Sequence, residues 1–150
     1  MTKTEIQEKI INTIIENNCR GIVLSSVRSG KTRVLLKTIE RYFKDKNPKI
    51  LVLYPNIDIK LSWEKECEII DYFPNIVYCT FASMSKIIDD GWDCIIIDEA
   101  HLLGEENQLP LAGKLAENTN HIIFASGTYN KDTLSDIKFY TKLNLIVNYP

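Results

Sequence analysis

Residues 21–39 read GIVLSSVRSGKTRVLLKTI, and the order of residue types in this stretch decides the fold. The β-branched run from Gly21 to Ser25 predicts a strand, and the helical spacing of Val34, Leu35, Thr38 and Ile39 predicts a helix. Between them, Ser25 to Thr32 (SSVRSGKT) fits the phosphate-binding pattern GxxxxGK[ST] at every defined position but the first, where Ser25 replaces glycine. A loop of this kind, closing a strand and opening a helix, aims backbone N–H groups and a helix N-terminus at phosphate oxygens. The predicted nucleotide-binding residues are therefore Ser26, Val27, Arg28, Ser29, Gly30, Lys31 and Thr32, with Lys31 reaching the β and γ phosphates and Thr32 holding Mg²⁺. A side chain at Ser25 restricts a loop that glycine would leave free.

Strand and helix signals alternate on both sides of this stretch. Ile6, Ile10, Ile11, Ile14 and Ile15 make one apolar stripe on a helix ending near Asn17 or Asn18. Downstream, the pattern predicts strand Lys49 to Tyr54, helix Asp58 to Tyr72, strand Ile76 to Cys79, a short helix around Ser83 to Asp89 and strand Asp93 to Ile97. Helix Glu105 to Asn118, strand His121 to Ala125, helix Asp132 to Tyr140 and strand Leu143 to Val147 complete it. This alternation predicts an α/β domain of three layers with a mainly parallel central sheet covered on both faces. The continuous apolar runs ILVLY, CIII and HIIFA suit strands buried on both sides.

The second chemical stretch is Cys94 to His101, CIIIDEAH. An apolar strand here delivers Asp98 and Glu99 to its carboxyl end, where open α/β sheets bind ligands. Asp98 is placed to hold Mg²⁺ through water, and Glu99 to polarise the water attacking a γ-phosphate. Lys31 and Glu99 are thus the candidate catalytic residues, and Thr32 and Asp98 the candidate metal residues.

Composition narrows the class. The 150 residues are about one domain's worth, 45% hydrophobic and 25% charged, with net charge −2, so broad non-specific binding to nucleic acid is disfavoured while a local basic patch is allowed. The N-terminal stretch lacks the features of a signal peptide, and no run is long and apolar enough to span a bilayer, which predicts a cytoplasmic protein with no membrane partner. Cys19, Cys67, Cys79 and Cys94 are widely spaced with no CxxC pair, so they are expected to be reduced structural thiols.

SSVRSGKT, IIIDEAH and ASGT (Ala125 to Thr128) resemble motifs I, II and III of superfamily 2 helicases, of DEAH type in the second. The resemblance implies a P-loop NTPase of RecA-like form across residues 1–150, with ATP and Mg²⁺ as cofactors. It also implies that Gln7, 24 positions before Lys31, reads adenine, and that His101, Ser126 and Thr128 couple the nucleotide site to a nucleic-acid surface. Leu51 to Glu66 is similar to motif Ia and Thr80 to Ser83 to motif Ib, so Tyr54, Pro55, Asn56, Thr80, Phe81 and Ser83 are the implied nucleic-acid contacts. Trp63 after the proline looks like the translocase, restriction and repair branches, which places DNA ahead of RNA.

In that family ATP is hydrolysed between two lobes, the second supplying arginines. Here the expectation is a first lobe whose partner lobe lies in a longer chain or is supplied in trans. A reduced, non-catalytic module gripping nucleic acid or a protein is the alternative. A P-loop kinase or GTPase ranks last, since no acceptor site or guanine-reading motif is visible.

Overall fold

A computed structural model describes residues 1–26, 30–44 and 46–150. Its elements run α1 (Lys3–Glu16), β1 (Gly21–Ser25), α2 (Lys31–Phe43), β2 (Lys49–Tyr54), α3 (Ile57–Ile70) and β3 (Asn75–Thr80). A 3₁₀ turn (Phe81–Lys86) leads to β4 (Cys94–Asp98), α4 (Gln108–Asn118), β5 (Ile122–Ser126), α5 (Lys131–Thr141) and β6 (Leu145–Tyr149). The six strands form one sheet in the order β3-β2-β4-β5-β1-β6, and every pairing in it is parallel. Among the described residues no helix is long and apolar enough to cross a membrane.

Strand alternation builds two separate cores. Val23, Val52, Ile96 and Ile123 face one way and pack with Ile10, Ile14, Leu35, Ile39 and Trp63 of α1, α2 and α3. Ile22, Leu53, Ile97 and Phe124 face the other way and pack with Leu109, Leu115 and Ile137 of α4 and α5. Because side chains on a strand point to opposite faces at every step, a strand buried on both faces must be apolar throughout, which is why β4 and β5 read as unbroken hydrophobic runs.

Several local signals set the boundaries. Thr2 caps α1 by accepting the Glu5 N–H, Asn56 caps α3 by accepting from Asp58, and Asn130 caps α5 by accepting from Thr133. Arg20 caps the far end of α4, donating to the carbonyls of Thr119 at 2.6 Å and Ala116 at 2.8 Å. Gly113 lets α4 and α5 approach: a Cβ there would stand 2.6 Å from the Tyr140 carbonyl oxygen.

Three expectations shift. The short helix expected at 83–89 is a 3₁₀ turn beginning at Phe81, because Phe81 and Met84 turn into the core directly after β3. Helix α4 starts at Gln108 rather than Glu105, since Gly104 and its successors form a turn in which the Gln108 side chain accepts the Gly104 N–H. The last strand lies at 145–149 rather than 143–147, where its register pairs Val147 with Val23 and Tyr149 with Ser25.

Candidate nucleotide site

The carboxyl ends of β1, β4 and β5 converge beside the N-terminus of α2. Ser25, the departure from the glycine pattern, is the buried last residue of β1, in extended backbone paired with Tyr149. It is not among the positive-φ residues, so glycine's freedom is not required there. The Ser26 N–H, half-buried, donates to the Tyr149 carbonyl at 2.9 Å. Val27, Arg28 and Ser29 lie outside the described residues. Gly30 caps α2 with φ of 71°, a left-handed conformation suited to glycine, and a Cβ there would meet Gln7 Nε2 at 2.7 Å. The structure therefore brings Gln7, a buried residue of α1, against the phosphate loop's glycine.

Lys31 opens α2 and is only 7% exposed. Its ammonium contacts Asp98 Oδ1 at 2.6 Å and Glu99 Oε1 at 2.5 Å, so one cation bridges both carboxylates. Burial works against its charge, but Asp98 and then Glu99 outweigh this and hold Lys31 above the ordinary lysine value. Asp98 is nearly fully buried and accepts two further bonds, from the Glu99 backbone amide at 2.9 Å and from the Trp63 indole at 2.8 Å. Glu99 is half-buried with φ of 53°, a turn that lifts its side chain out of the strand line.

An open cleft of about 440 Å³ lies over these groups, walled by Gly30, Lys31, Thr32, Asp98 and Glu99 on one side and by Ser62 and Ile69 of α3 on the other. Arg33 and Glu66 pair at 2.9 Å along its rim. The donor set suits a hard divalent cation bound through one carboxylate, one hydroxyl and ligand phosphates, the usual arrangement for Mg²⁺ with a nucleotide. Asp98 and the half-buried Thr32 are the protein groups that would hold it.

A chain of polar contacts, hydrogen-bonded from His101 onward, leads away from Glu99. His101 Nδ1 is 3.5 Å from Glu99 Oε2 and 2.6 Å from Ser126 Oγ. Ser126 Oγ also donates to the Thr128 carbonyl at 2.7 Å and accepts the Thr128 N–H at 3.1 Å. The three residues named for coupling thus form one connected set, in which Thr128 takes part through its backbone.

The residues named for nucleic-acid contact are placed less uniformly. Tyr54 and Thr80 pair in register at the ends of β2 and β3, with Pro55 and Asn56 following on the same edge. Asn56 is exposed, while Pro55, Thr80 and Ser83 are half-buried. Tyr54 and Phe81 are buried in opposite cores, so their rings pack within the protein and only their backbone faces this edge. Trp63 and Tyr129 were not legible as members of the site. Tyr129 donates to the Phe124 carbonyl at 3.1 Å, and burial, followed by the negative charges of Asp98 and Glu99, pushes its hydroxyl well above the usual phenol range.

Comparison with known proteins bears on this geometry from two sides. The sequence model of the thymidine kinase family matches residues 21–144, from the first residue of β1 to the loop before β6. The chain belongs to that family. No curated protein matches the sequence. Among solved structures, the fold is similar to the UvsW helicase from bacteriophage T4 (TM-score 0.68, 14% identity, 93% of this chain and 58% of that one). It is also similar to the Pyrococcus furiosus Hef helicase domain (TM-score 0.72, 12% identity, 97% of this chain and 37% of that one). A third match is the Sulfolobus solfataricus SWI2/SNF2 ATPase core in complex with dsDNA (TM-score 0.64, 19% identity, 90% of this chain and 34% of that one). The chain spans 34% to 58% of the length of these solved chains. They establish the RecA-like P-loop fold, and the family match brings the kinase class, placed last from the residues alone, back into consideration.

Proposed function

We propose that this chain is the ATP-binding motor lobe of a helicase or translocase of superfamily 2 type, which uses ATP with Mg²⁺ to move along or remodel nucleic acid, DNA ahead of RNA, together with a second lobe. The observation that carries this reading is the bond between His101 and Ser126 at 2.6 Å. It ties the loop bearing Glu99 to the end of β5, so a change at the γ-phosphate can be felt beyond the nucleotide cleft. In this reading Lys31 leaves its carboxylates for the phosphates, Thr32 and Asp98 hold the metal, and Glu99 orients water for in-line attack. Bound Mg²⁺ supplies charge neutralisation at the phosphate oxygens. Asn56, Thr80 and Ser83, on the edge beyond β2 and β3, take the nucleic-acid backbone.

A second reading comes from the family match: phosphoryl transfer to a nucleoside hydroxyl in place of water, with Glu99 as the base for that hydroxyl. One experiment separates the two. The chain is incubated with labelled ATP and Mg²⁺, with duplex DNA or with thymidine, and free phosphate and thymidine phosphate are measured together. The motor reading expects phosphate release that rises with DNA and no phosphorylated thymidine. Thymidine phosphate formed faster than free phosphate would replace it with the kinase reading.

A further inference from the structure

We propose that Trp63 is a positioning residue for the Asp98 carboxylate, its indole N–H fixing which oxygen is presented to the metal. This rests on the reading of Asp98 as a metal residue.

Trp63 lies in α3, is fully buried and donates from Nε1 to Asp98 Oδ2 at 2.8 Å. The other oxygen, Oδ1, faces the cleft: it accepts the Glu99 amide at 2.9 Å and lies 2.6 Å from the Lys31 ammonium. The two oxygens therefore have separate environments, one held by a neutral donor in the core and one held by the groups that meet the nucleotide. A carboxylate's terminal torsion is broad and roughly two-fold, so without an added constraint the group turns readily. An indole N–H can only donate, and it keeps Oδ2 inward whether or not Lys31 has moved to a phosphate.

Packing alone does not account for this contact. A buried tryptophan N–H usually finds a hydrogen-bond partner, and a neutral backbone carbonyl would satisfy it. Here its partner is the carboxylate at the end of β4, on a strand reached 35 residues later. Helix α3 also supplies Ser62 and Glu66 to the cleft, so the helix that walls the cleft also orients its acid.

The test uses the 150-residue chain, ATP and Mg²⁺. Trp63→Phe keeps the ring and removes the donor. Groups that hold a metal ligand in place typically contribute about 10–100-fold to metal affinity, so the Mg²⁺ concentration for half-maximal Mg²⁺-dependent ATP binding should rise by at least about tenfold. ATP binding without Mg²⁺ should be unchanged. Cys67→Ala, one turn along the same buried face of α3, should lower the melting temperature and leave the Mg²⁺ titration in place. If Trp63 only packs, Trp63→Phe behaves as Cys67→Ala does, and the proposal is overturned.

A second measurement needs no change at Trp63. The chain has two tryptophans, so the Trp63 indole N–H resonance is identified as the one that survives in Trp92→Phe. It should move when Mg²⁺ is added to the ATP-saturated protein, and a stationary resonance overturns the proposal even where Trp63→Phe does not fold. A parent chain with no Mg²⁺-dependent ATP binding removes the nucleotide-site reading, and this inference with it.

Discussion

The Lys31 ammonium lies 2.6 Å from Asp98 Oδ1, so the lysine that would meet a phosphate is held by a carboxylate at the floor of the cleft. Both are buried, and this matters energetically: a charged pair in a poorly solvated site is costly to break by removing one member, because the other is left uncompensated. Asp98 would still keep its bonds from Trp63 and the Glu99 amide, which soften the loss.

Lys31→Ala should therefore act on two observables. Nucleotide affinity should fall by about 10–100-fold, the value of a charge-assisted hydrogen bond of about 1.5–3 kcal/mol. Stability should also drop, and the melting temperature with it, by less than the full loss of about 3–5 kcal/mol seen when a buried pair is broken with no other partner. Calorimetric titration with Mg²⁺ and ATP checks the first and thermal unfolding the second. Equal affinity in mutant and parent would remove Lys31 from the site.

Gly30→Ala should be destabilising chiefly for a conformational reason. A left-handed backbone costs an L-residue about 1–2 kcal/mol, whereas the atom the new Cβ would meet at 2.7 Å, Gln7 Nε2, is the far end of a flexible side chain that can move aside. Shortening that neighbour in Gly30→Ala/Gln7→Ala should therefore leave the backbone cost and give no rescue in melting temperature. A double variant clearly more stable than Gly30→Ala would show that the contact with Gln7, and not the backbone, sets the loss.

Alkaline stability should be limited by two buried thiols at the amino ends of the strands, away from the cleft, Cys19 and Cys94. Burial pushes Cys19 up to about 12 from an ordinary 9.0 and raises Cys94 further. The unfolded thiols ionise first, so stability from these groups is complete below pH 9 and is lost as pH rises from 9 to about 12. Cys19→Ala should therefore remove part of the fall in melting temperature across that window, and Cys19→Ala/Cys94→Ala more of it, at some loss of packing at neutral pH. A parallel decline in parent and double variant would assign alkaline loss to other groups.

How much of this was legible in the sequence follows from what kind of interaction placed each part. The strands were readable because β4 and β5 are buried on both faces, which forces an unbroken apolar run, and the phosphate loop because GKT must follow a strand and open a helix. Asp98 and Glu99 were readable as a pair at a strand's end. The Trp63 indole on Asp98 was not, since it joins α3 to β4 by tertiary packing alone, and no local pattern encodes which acceptor a buried ring will find. Burial of Tyr54 and Phe81 was hidden for a related reason. An aromatic residue at a sheet edge reads equally as a surface contact or a core anchor until the helices covering it are in place. Ser25 looked like a defect because the pattern allots glycine there, yet this backbone is extended and accepts a side chain.

The last prediction concerns turnover by this chain alone. In the motor reading Glu99 orients water, but rapid phosphoryl transfer also needs a cation to meet the charge developing on the γ-phosphate, a contribution of about 10³–10⁵ where an arginine supplies it. Among the described residues lining the cleft the cationic side chains are Lys31, Arg33 and Lys65. Lys31 is assigned to ground-state phosphate binding, Arg33 is paired with Glu66 at 2.9 Å, and Lys65 is an exposed, solvated side chain of α3, so none of the three is poised for that second role. The chain should therefore hydrolyse ATP well below about one turnover per second, the lower end of ordinary enzymes. Arg33→Ala should leave that slow rate unchanged, and Glu99→Gln should abolish it with ATP still bound. Steady-state phosphate release by the three proteins, beside calorimetric ATP affinity, decides the matter. Turnover at one per second or faster would mean that the cleft already holds its full set of charges, and loss of that turnover in Arg33→Ala would identify the missing cation as one already on α2.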